Sequence, residues 1–163
     1  MSKLYRPNAA VVVFNKNGSV LVFKRKDFED QWQFPQGGIE SNENPKEAAF
    51  RELKEETNIT TAKFIAEYPE PLKYNFPINV LQKFKKLGRN NIGQVQFWFL
   101  LFWNDEENEI NLETNPQEIE FCDYKWVDIE DSVNLIVDFK KDVYRKITTY
   151  FAPIIEEYIK KFN

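Results

Sequence analysis

The segment from Asn44 to Asn58 carries helix signals at both of its ends, and it constrains the fold more than any other part of the chain. Asn44 belongs to the residue types that cap helix N-termini, Pro45 suits the first helical position, and Glu47 completes a capping box. Asn58 tolerates the left-handed backbone that often follows the last helical turn. The pattern therefore predicts a helix from Pro45 to Thr57.

Apolar and β-branched runs predict the strands. The runs 9–15 and 19–24 flank Lys16-Asn17-Gly18, whose Asn-Gly step favours positive φ, so they are expected to form a β-hairpin. Further strands are expected over 63–68, 95–103 and 119–127.

Two other segments have helix or loop patterns. The basic stretch from Leu81 to Asn91 is expected to be a long loop. Helical spacing of apolar residues after Asp138 predicts a C-terminal helix, which is expected to break near Pro153 and to resume as far as Phe162.

Histidine is absent from the 163 residues, and cysteine occurs once, as Cys122. The absence of histidine excludes Ser-His-Asp and Cys-His nucleophilic machinery, histidine-bound zinc and the histidine-carboxylate iron site. A chain of this size buries roughly 70% of its surface without help from a metal, so one domain over residues 1–163 is expected and any bound metal serves chemistry. An enzyme of this composition must work with carboxylates.

The sequence also suggests a compartment. The longest apolar run, Phe97 to Trp103, is seven residues long, too short for a signal peptide or a membrane span. Cys122 lies in an apolar-aromatic run and is expected to be a small buried residue, and a single cysteine fits a reducing cytoplasm. We expect a cytoplasmic protein with no membrane partner.

Three acidic residues cluster on one face of the predicted helix. At about 100° per residue, Glu52, Glu55 and Glu56 fall within an arc of roughly 100°, beside an apolar arc that contains Leu53. Because like charges at these spacings repel, the cluster is either a solvated acidic face or a site for a hard cation such as Mg²⁺, Mn²⁺ or Ca²⁺. The helix alone leaves both interpretations open.

A longer pattern around this helix resembles the Nudix box. It has the form G-x5-E-x7-R-E-U-x-E-E-x-x-U, where U is a large aliphatic residue, and it is carried by Gly37, Glu43, Arg51, Glu52, Leu53, Glu55, Glu56 and Ile59. The family usually has Gly where this chain has Asn58, a mild departure because Asn also tolerates the left-handed conformation. The resemblance implies an α+β fold, the Nudix α/β/α sandwich with a mixed central sheet, a catalytic loop-helix-loop and a C-terminal helix.

The resemblance also implies roles for the residues of the box. Arg51 would pair with Glu43 or with a catalytic carboxylate and so hold the metal ligands in place. The ligands for Mg²⁺ or Mn²⁺ would be one backbone carbonyl and three carboxylates, those of Gly37, Glu52, Glu55 and Glu56.

The segments outside the box resemble the bacterial RNA pyrophosphohydrolases and the related dinucleoside polyphosphate hydrolases. They are Tyr5-Arg6-Pro7-Asn8, Trp32 to Gly38, Gly93-Gln94, Phe97-Trp98-Phe99, Asn115-Pro116, Glu120-Phe121 and Phe139 to Arg145. By this likeness Glu120 joins the metal site, Phe139 stacks on a base and basic residues meet phosphates. The substrate-binding residues would be Arg6, Lys26, Gln36, Phe139 and Lys140. Two departures are Lys26, where an arginine is common, and Asp138, which puts a negative charge beside the proposed base pocket.

The likeness implies attack of water on a phosphorus of a 5′-polyphosphate, with Glu52 as the preferred base and Glu120 as the alternative. The catalytic set would then be Arg51, Glu52, Glu55, Glu56 and Glu120. The leading substrate is the 5′-triphosphate or diphosphate end of RNA, cleaved to a 5′-monophosphate with release of pyrophosphate or phosphate and so promoting mRNA decay. The alternative substrate is diadenosine tetraphosphate.

A third interpretation comes from a different class of protein. Some Nudix-fold proteins are binding modules that have lost catalysis, which a broken carboxylate set would indicate, and here the set is intact. No DNA partner is expected, and the sequence leaves a weak oligomer or a stimulating protein partner open.

Overall fold

The computed structural model describes residues 4–27 and 30–163. Within these residues the strands are β1 (Tyr5–Phe14), β2 (Val20–Arg25), β3 (Trp32–Gln33), β4 (Gln36–Gly38), β5 (Lys63–Glu67), β6 (Leu72–Asn75), β7 (Gly93–Phe102) and β8 (Phe121–Val127). The α-helices are α1 (Pro45–Thr57), α2 (Ile78–Lys86), α3 (Ser132–Leu135) and α4 (Lys141–Ile159). Short 3₁₀ turns lie at Glu107–Glu109, Ile129–Asp131, Asp138–Lys140 and Lys160–Phe162.

The strands form one mixed sheet centred on β1. β1 pairs in parallel with β7 along its whole length, whereas β4 runs antiparallel beside its first half and β2 meets its far end. β2 also pairs with β3 and β8, while β5 and β6 both run antiparallel to β7. The expected mixed sheet is therefore confirmed, and the three longer strands predicted after the helix begin and end within two residues of their expected bounds.

The predicted hairpin is confirmed at its turn. The Gly18 N–H donates to the Asn15 carbonyl at 2.9 Å, and Gly18 has a φ of 81°, which glycine adopts without strain. The two strands pair at Phe14 and Val20 and then diverge. Because they diverge, β4 can lie beside β1 at residues 8–10 and bring the segment before α1 against the sheet.

Helices cover both faces of the sheet, as expected for an α/β/α sandwich. Alternate residues of β1 point to opposite faces: Val12 packs in the cluster with Ile147 of α4, and Val11 packs in the cluster with Leu53 of α1. Burying such side chains contributes about 1.5–3 kcal/mol each. The two clusters hold α1 and α4 against the central strands.

The predicted ends of α1 are confirmed. The Asn44 side chain accepts from the Glu47 N–H and the Glu47 side chain accepts from the Asn44 N–H, both at 2.9 Å. Asn58 is left-handed with a φ of 69°, and its side-chain amide donates to the Glu109 carbonyl at 3.0 Å. An asparagine thus meets the backbone requirement that usually selects glycine here.

The expectation of a loop over Leu81 to Asn91 was wrong for residues 81–86, which belong to α2, and is confirmed for residues 87–91. Val80 and Phe84 lie one turn apart on the same side of α2, and Phe84 packs edge-on against Phe76 with ring centroids 5.0 Å apart. The interleaved lysines hide this apolar spacing in the sequence. The helix ends where Gly88 takes a φ of 79°.

The expected break at Pro153 was also wrong, since α4 continues through it to Ile159. A proline inside a helix destabilises it by about 3 kcal/mol. The buried side chains of Phe151 and Ile155, on either side of it, each stabilise the fold by about 1.5–3 kcal/mol and so offset this loss. Pro153 itself is exposed, on the outer side of the helix.

Cys122 is exposed rather than buried, contrary to expectation. A register shift explains the difference, because Phe121 pairs with Arg25 and Asp123 with Lys24, so Cys122 is an extra residue in β8 that lies outside the core. In the described part of the chain no helix is both long enough and apolar enough to span a membrane.

Candidate active site

Strand β4 separates two neighbouring compartments. Its Cα partners in β1 are Ala10 for Gln36, Ala9 for Gly37 and Asn8 for Gly38. Since side chains alternate along a strand, Gln36 faces the same side as the α4 cluster, while the Cα of Gly37 faces α1. A Cβ on Gly37 would overlap the Glu52 carboxylate, so a larger residue here would displace that carboxylate from its position.

Glu52 and Glu56 form the buried part of the acidic cluster on α1. Glu56 is 9% exposed, and its Oε1 atom is buried with no hydrogen-bond partner among the described residues. Burial raises the pKa of Glu56 well above its ordinary value, the charges of Glu52 and Glu120 raise it further, and the Gln36 backbone N–H opposes them. Burial also raises the pKa of Glu52, against the opposing hydrogen bond from Arg51.

These observations fit a hard divalent cation. The two adjacent carboxylates supply only oxygen atoms, the donors that Mg²⁺ and Mn²⁺ prefer. The unpartnered oxygen of Glu56 is costly to bury unless a proton or a cation satisfies it. A cation would reverse the electrostatic cause of the raised pKa values.

Arg51 organises the cluster with all three of its guanidinium nitrogens. Its Nε and Nη2 donate to the two oxygens of Glu43 at 3.0 and 2.6 Å, and Nη2 also donates to the Gly38 carbonyl at 2.8 Å. Its Nη1 donates to Glu52 at 2.9 Å and lies 3.4 Å from Glu55. These bonds raise the pKa of Arg51 and lower that of Glu43. Both pairings expected from the sequence are therefore present.

Glu55 and Glu120 are placed at the edge of this cluster. The Glu55 side chain is 46% exposed and turned toward Arg51, and Glu120 is exposed in the segment just before β8. The charge of Glu120 acts on both Glu56 and Lys140. No three acidic or cysteine side chains in the described ranges are already arranged around one metal position, so the ligand set stays a prediction.

A cavity of about 400 Å³ opens on the other face of β4. Its wall is aromatic: the Phe139 ring lies 5.7 Å from that of Tyr74, which is 5.8 Å from that of Phe76. Gln36 lines the same cavity, and α2 closes its outer side with Phe84. Such a cavity can hold a planar ring, because bases stack on aromatic side chains.

The cavity is also positively charged. Arg25, Lys83 and Lys140 line it, and the Lys140 Nζ lies 5.5 Å from the centroid of the Tyr74 ring. Burial and the nearby Arg25 charge lower the pKa of Lys140 to about 8, while Glu120 opposes them. Two cations held close together at a buried position favour an anionic ligand.

The structure sorts the substrate-binding residues predicted from the sequence into two groups. Gln36, Phe139 and Lys140 line the cavity. Arg6 lies beside β4, where a Cβ on Gly38 would come 2.8 Å from its guanidinium, and Lys26 is exposed with its N–H donating to the Glu120 carbonyl at 2.9 Å. Neither Arg6 nor Lys26 is among the residues that line the cavity.

Sequence reasoning missed Arg25, Lys83, Tyr74 and Phe76 as cavity residues. The alternation of Leu72, Tyr74 and Phe76 was a period-two strand signal that could have identified β6 and its inward face. Parity along β2 places Arg25 on the α1 face with Leu21 and Phe23, so no sequence signal could have identified it; the register shift at Lys24 and Arg25 breaks that parity.

The comparisons with known proteins agree with this architecture. The family model for the NUDIX domain matches residues 4–148, most of the chain. The chain belongs to the Nudix family. The enzyme class expected from the sequence, a Nudix hydrolase, is confirmed with it.

Two relatives illustrate where the chain stands within the Nudix family. It is 41% identical to Nudix hydrolase 25 of Arabidopsis thaliana over 156 residues, covering 94% of this chain and 89% of the relative. It is also 41% identical to the RNA pyrophosphohydrolase of Nitratiruptor sp. over 153 residues, covering 91% of this chain and 94% of the relative.

Solved Nudix-fold structures support the fold alone, because their sequences are distant. The E. coli dihydroneopterin triphosphate pyrophosphohydrolase matches with a TM-score of 0.69 at 22% identity, covering 91% of this chain and 97% of its own. A C. elegans Ap4A hydrolase matches with a TM-score of 0.62 at 19% identity, covering 91% and 98%.

Proposed function

We propose that this Nudix hydrolase removes pyrophosphate or phosphate from the 5′-polyphosphate end of RNA and leaves a 5′-monophosphate, a reaction that promotes mRNA decay. The observation that carries the proposal is the placement of an aromatic, basic cavity and a buried carboxylate pair on the two faces of β4. A 5′-terminal nucleotide has a ring for the cavity and a polyphosphate for the carboxylate side. Identity of 36–41% to RNA pyrophosphohydrolases supports the same substrate class.

The carboxylate side would hold Mg²⁺ or Mn²⁺. Its ligands would be the Gly37 carbonyl and the carboxylates of Glu52, Glu55, Glu56 and Glu120. When bound, a divalent cation supplies neutralisation of phosphate charge and acidification of the attacking water. Arg51 keeps Glu52 in place through the 2.9 Å hydrogen bond.

Glu52 is the preferred general base. Its carboxylate lies against Gly37, on the α1 side of β4, and the Arg51 Nη1 holds it at 2.9 Å, so it is fixed where the attacking water would be deprotonated. Glu120 is the alternative base, since its charge reaches the same cluster. With no histidine in the chain, the proton goes to one of these carboxylates or to solvent.

The cavity side would hold the nucleotide. Phe139 offers a ring face for stacking, and Lys140 and Arg25 offer positive charge for phosphates. Arg6, beside Gly38, would meet the polyphosphate from the edge of β4. Lys26 keeps its proposed phosphate contact as an exposed residue at the rim.

A second candidate substrate is a dinucleoside polyphosphate such as diadenosine tetraphosphate. The aromatic cavity of about 400 Å³ accommodates one nucleoside, which is sufficient for recognising one end of such a molecule. The RNA reaction, in contrast, gives a role to the exposed lysines of α2, which carry charge beyond the cavity.

The deciding experiment compares kcat/KM for a short 5′-triphosphate RNA with an unpaired end and for diadenosine tetraphosphate, each with Mg²⁺. Faster conversion of the RNA to its 5′-monophosphate supports the proposal, and preference for the dinucleotide replaces it with the second candidate. Cleavage of neither substrate would reject both candidates and direct the search to other compounds with a phosphoric anhydride bond.

We also propose a cellular compartment for the enzyme. An exposed free thiol at Cys122 fits a reducing compartment, so we place the enzyme in the cytoplasm, acting on RNA rather than DNA. A weak oligomer or a stimulating protein partner stays a prediction.

A further inference from the structure

A buried chain of hydrogen bonds runs from Trp98 through Gln96 to Gln36. The Trp98 Nε1–H donates to the Gln96 Oε1 at 3.2 Å, and the Gln96 Nε2 donates to the Gln36 Oε1 at 2.6 Å and to the Asn8 Oδ1 at 3.0 Å. Trp98, Gln96 and Asn8 are each only 2% exposed, so water does not compete for these bonds. The chain ends at the cavity, which Gln36 lines.

The indole of Trp98 determines the donor-to-acceptor direction of every hydrogen bond in this row. An indole N–H can only donate, so Gln96 must turn its oxygen toward Trp98. Its NH₂ group then faces Asn8 and Gln36, and each of these must accept with a side-chain oxygen. Because a primary amide carries its oxygen and its NH₂ group on opposite sides, Gln36 must direct its NH₂ group away from Gln96.

Strand register explains how the two glutamines meet. Gln36 lies in β4 and Gln96 in β7, on either side of β1, and neighbouring strands are about 4.8 Å apart. Gln36 is opposite Ala10 of β1, whereas Gln96 is opposite Asn8, two residues earlier, so the two side chains meet diagonally beside the methyl group of Ala10. The small side chain leaves room for the glutamines to touch over the central strand.

We propose that Gln96 is a positioning residue that, set by Trp98, makes Gln36 a hydrogen-bond donor of fixed polarity for a phosphate oxygen of the substrate. This inference rests on the proposed function of the same site. Phosphate oxygens accept hydrogen bonds, so an amide held with its NH₂ group outward is complementary to them, whereas a flipped amide would present its carbonyl to a negative charge. Gln36 precedes Gly37, which contacts Glu52, so the donor lies where the polyphosphate would cross from the cavity to the carboxylates.

The test is a double-mutant cycle with Gln36→Met, Gln96→Met and the combined variant, measured on whichever of the two polyphosphate substrates the enzyme cleaves. Loss of a hydrogen bond to a charged group predicts a KM about 10-fold higher for Gln36→Met, with kcat changed by less than about threefold. Gln96→Met should raise KM by a smaller factor, and the combined variant should match Gln36→Met alone because Gln96 acts through Gln36. A Gln36→Met KM within about twofold of wild type, or a Gln96→Met effect of equal size in both backgrounds, overturns the proposal.

A second variant guards against failure of Gln96→Met to fold. Trp98→Phe keeps a ring in the core but removes the indole donor, so the flipped amide becomes populated and KM should rise by about twofold or more. The rise in KM caused by Trp98→Phe should vanish in the Gln36→Met background. If it persists there, Trp98 does not act through Gln36.

A spectroscopic readout separates this inference from the proposed function. In ¹⁵N-labelled protein, the side-chain NH₂ signals of Gln36 should shift when inorganic pyrophosphate is added, and this shift should be lost in Gln96→Met. If pyrophosphate shifts the Gln36 NH₂ signals but the enzyme cleaves neither substrate, Gln36 is a hydrogen-bond donor to phosphate and the proposed reaction is rejected. Absence of any shift in the wild type rejects the donor itself.

Discussion

Arg51 donates two hydrogen bonds to Glu43, from Nε at 3.0 Å and from Nη2 at 2.6 Å, while its Nη1 donates to Glu52 at 2.9 Å. A planar fork can make all three bonds at once, and a lysine cannot. The pair therefore connects the loop before α1 to the carboxylates of the helix and places Glu52 beside Gly37.

The first prediction concerns that fork. Arg51→Lys should keep the charge and lose the geometry, so kcat should fall about 10-fold or more, as when an outer-shell partner of a metal ligand is removed. Steady-state kinetics with Mg²⁺ checks this. Arg145→Lys, in an exposed pair with Asp142 at 2.6 Å, is the matched control and should leave kcat unchanged. An unchanged kcat in Arg51→Lys would contradict the positioning role.

The parts of the site that sequence could predict are those encoded locally. Asn44, Pro45 and Glu47 specify the start of α1 within four residues, and the spacing of the acids specifies their shared face. Nothing outside the segment is needed, and this is why the helix bounds agree with the structure. The resemblance to the Nudix box then added the expected pairing of Arg51.

The cavity could not be predicted because it depends on tertiary packing. Tyr74 and Phe139 are far apart in sequence, and their rings lie 5.7 Å apart only because β6 joins the sheet beside β7. Phe84 was hidden among lysines, although its packing against Phe76 is what orders α2 as a helix. Whether Arg25 or Lys26 faces the cavity turns on a register shift of one residue in β2, which no local pattern reveals.

The second prediction concerns the helix cap at Asn58. Its φ of 69° costs a residue with an ordinary Cβ roughly 1–2 kcal/mol, so Asn58→Ala should lower the free energy of unfolding by about that amount. Asn58→Gly should remain within about 0.5 kcal/mol of wild type, since glycine takes this conformation freely. Urea unfolding of the three proteins measures both effects. Equal losses in the two variants would show that the Asn58 side-chain bond to Glu109, rather than the backbone, stabilises the cap.

The third prediction concerns Glu56. Its pKa is raised in the folded protein, so without metal its contribution to stability falls as pH rises from the unfolded pKa toward the folded one. Glu56→Gln should therefore be more stable than wild type at neutral pH in EDTA. Adding Mg²⁺ should raise the Tm of the wild type and leave that of the variant unchanged, and the variant should lose turnover. Near-normal activity in the variant would remove Glu56 from the metal site.

The fourth prediction concerns Lys140, whose pKa is lowered to about 8 in the folded state. Above that pH the folded state releases a proton that the unfolded state still binds, so the free energy of unfolding should rise with pH. From pH 7 to pH 9 the gain should be about 1 kcal/mol for the wild type relative to Lys140→Met. Comparing the two proteins by urea unfolding at both pH values cancels the contributions of other groups. Parallel pH dependence would indicate an ordinary, solvated lysine.

The fifth prediction tests whether α2 contacts RNA beyond the cavity. Lys85 and Lys86 are exposed on this helix, outside the cavity lining, and the segment from Pro71 to Asn104 has no acidic residue. If they meet phosphates of a single strand, Lys85→Glu combined with Lys86→Glu should raise KM for RNA and lower the slope of log KM against log salt by about 1.4, or about 0.7 per contact. KM for diadenosine tetraphosphate should hardly change, because that molecule has no polynucleotide strand to extend along α2.

A charge-matched control isolates location from net charge. Lys146→Glu combined with Lys160→Glu makes the same charge change at exposed positions of α4 and the turn after it, and it should leave the salt slope for RNA unaltered. If both double variants weaken RNA binding equally, long-range charge rather than contact with α2 is responsible. If neither variant affects RNA while the wild type cleaves it, the RNA strand leaves the cavity by another route, and α2 acts only as the outer wall of the base site through Val80 and Phe84.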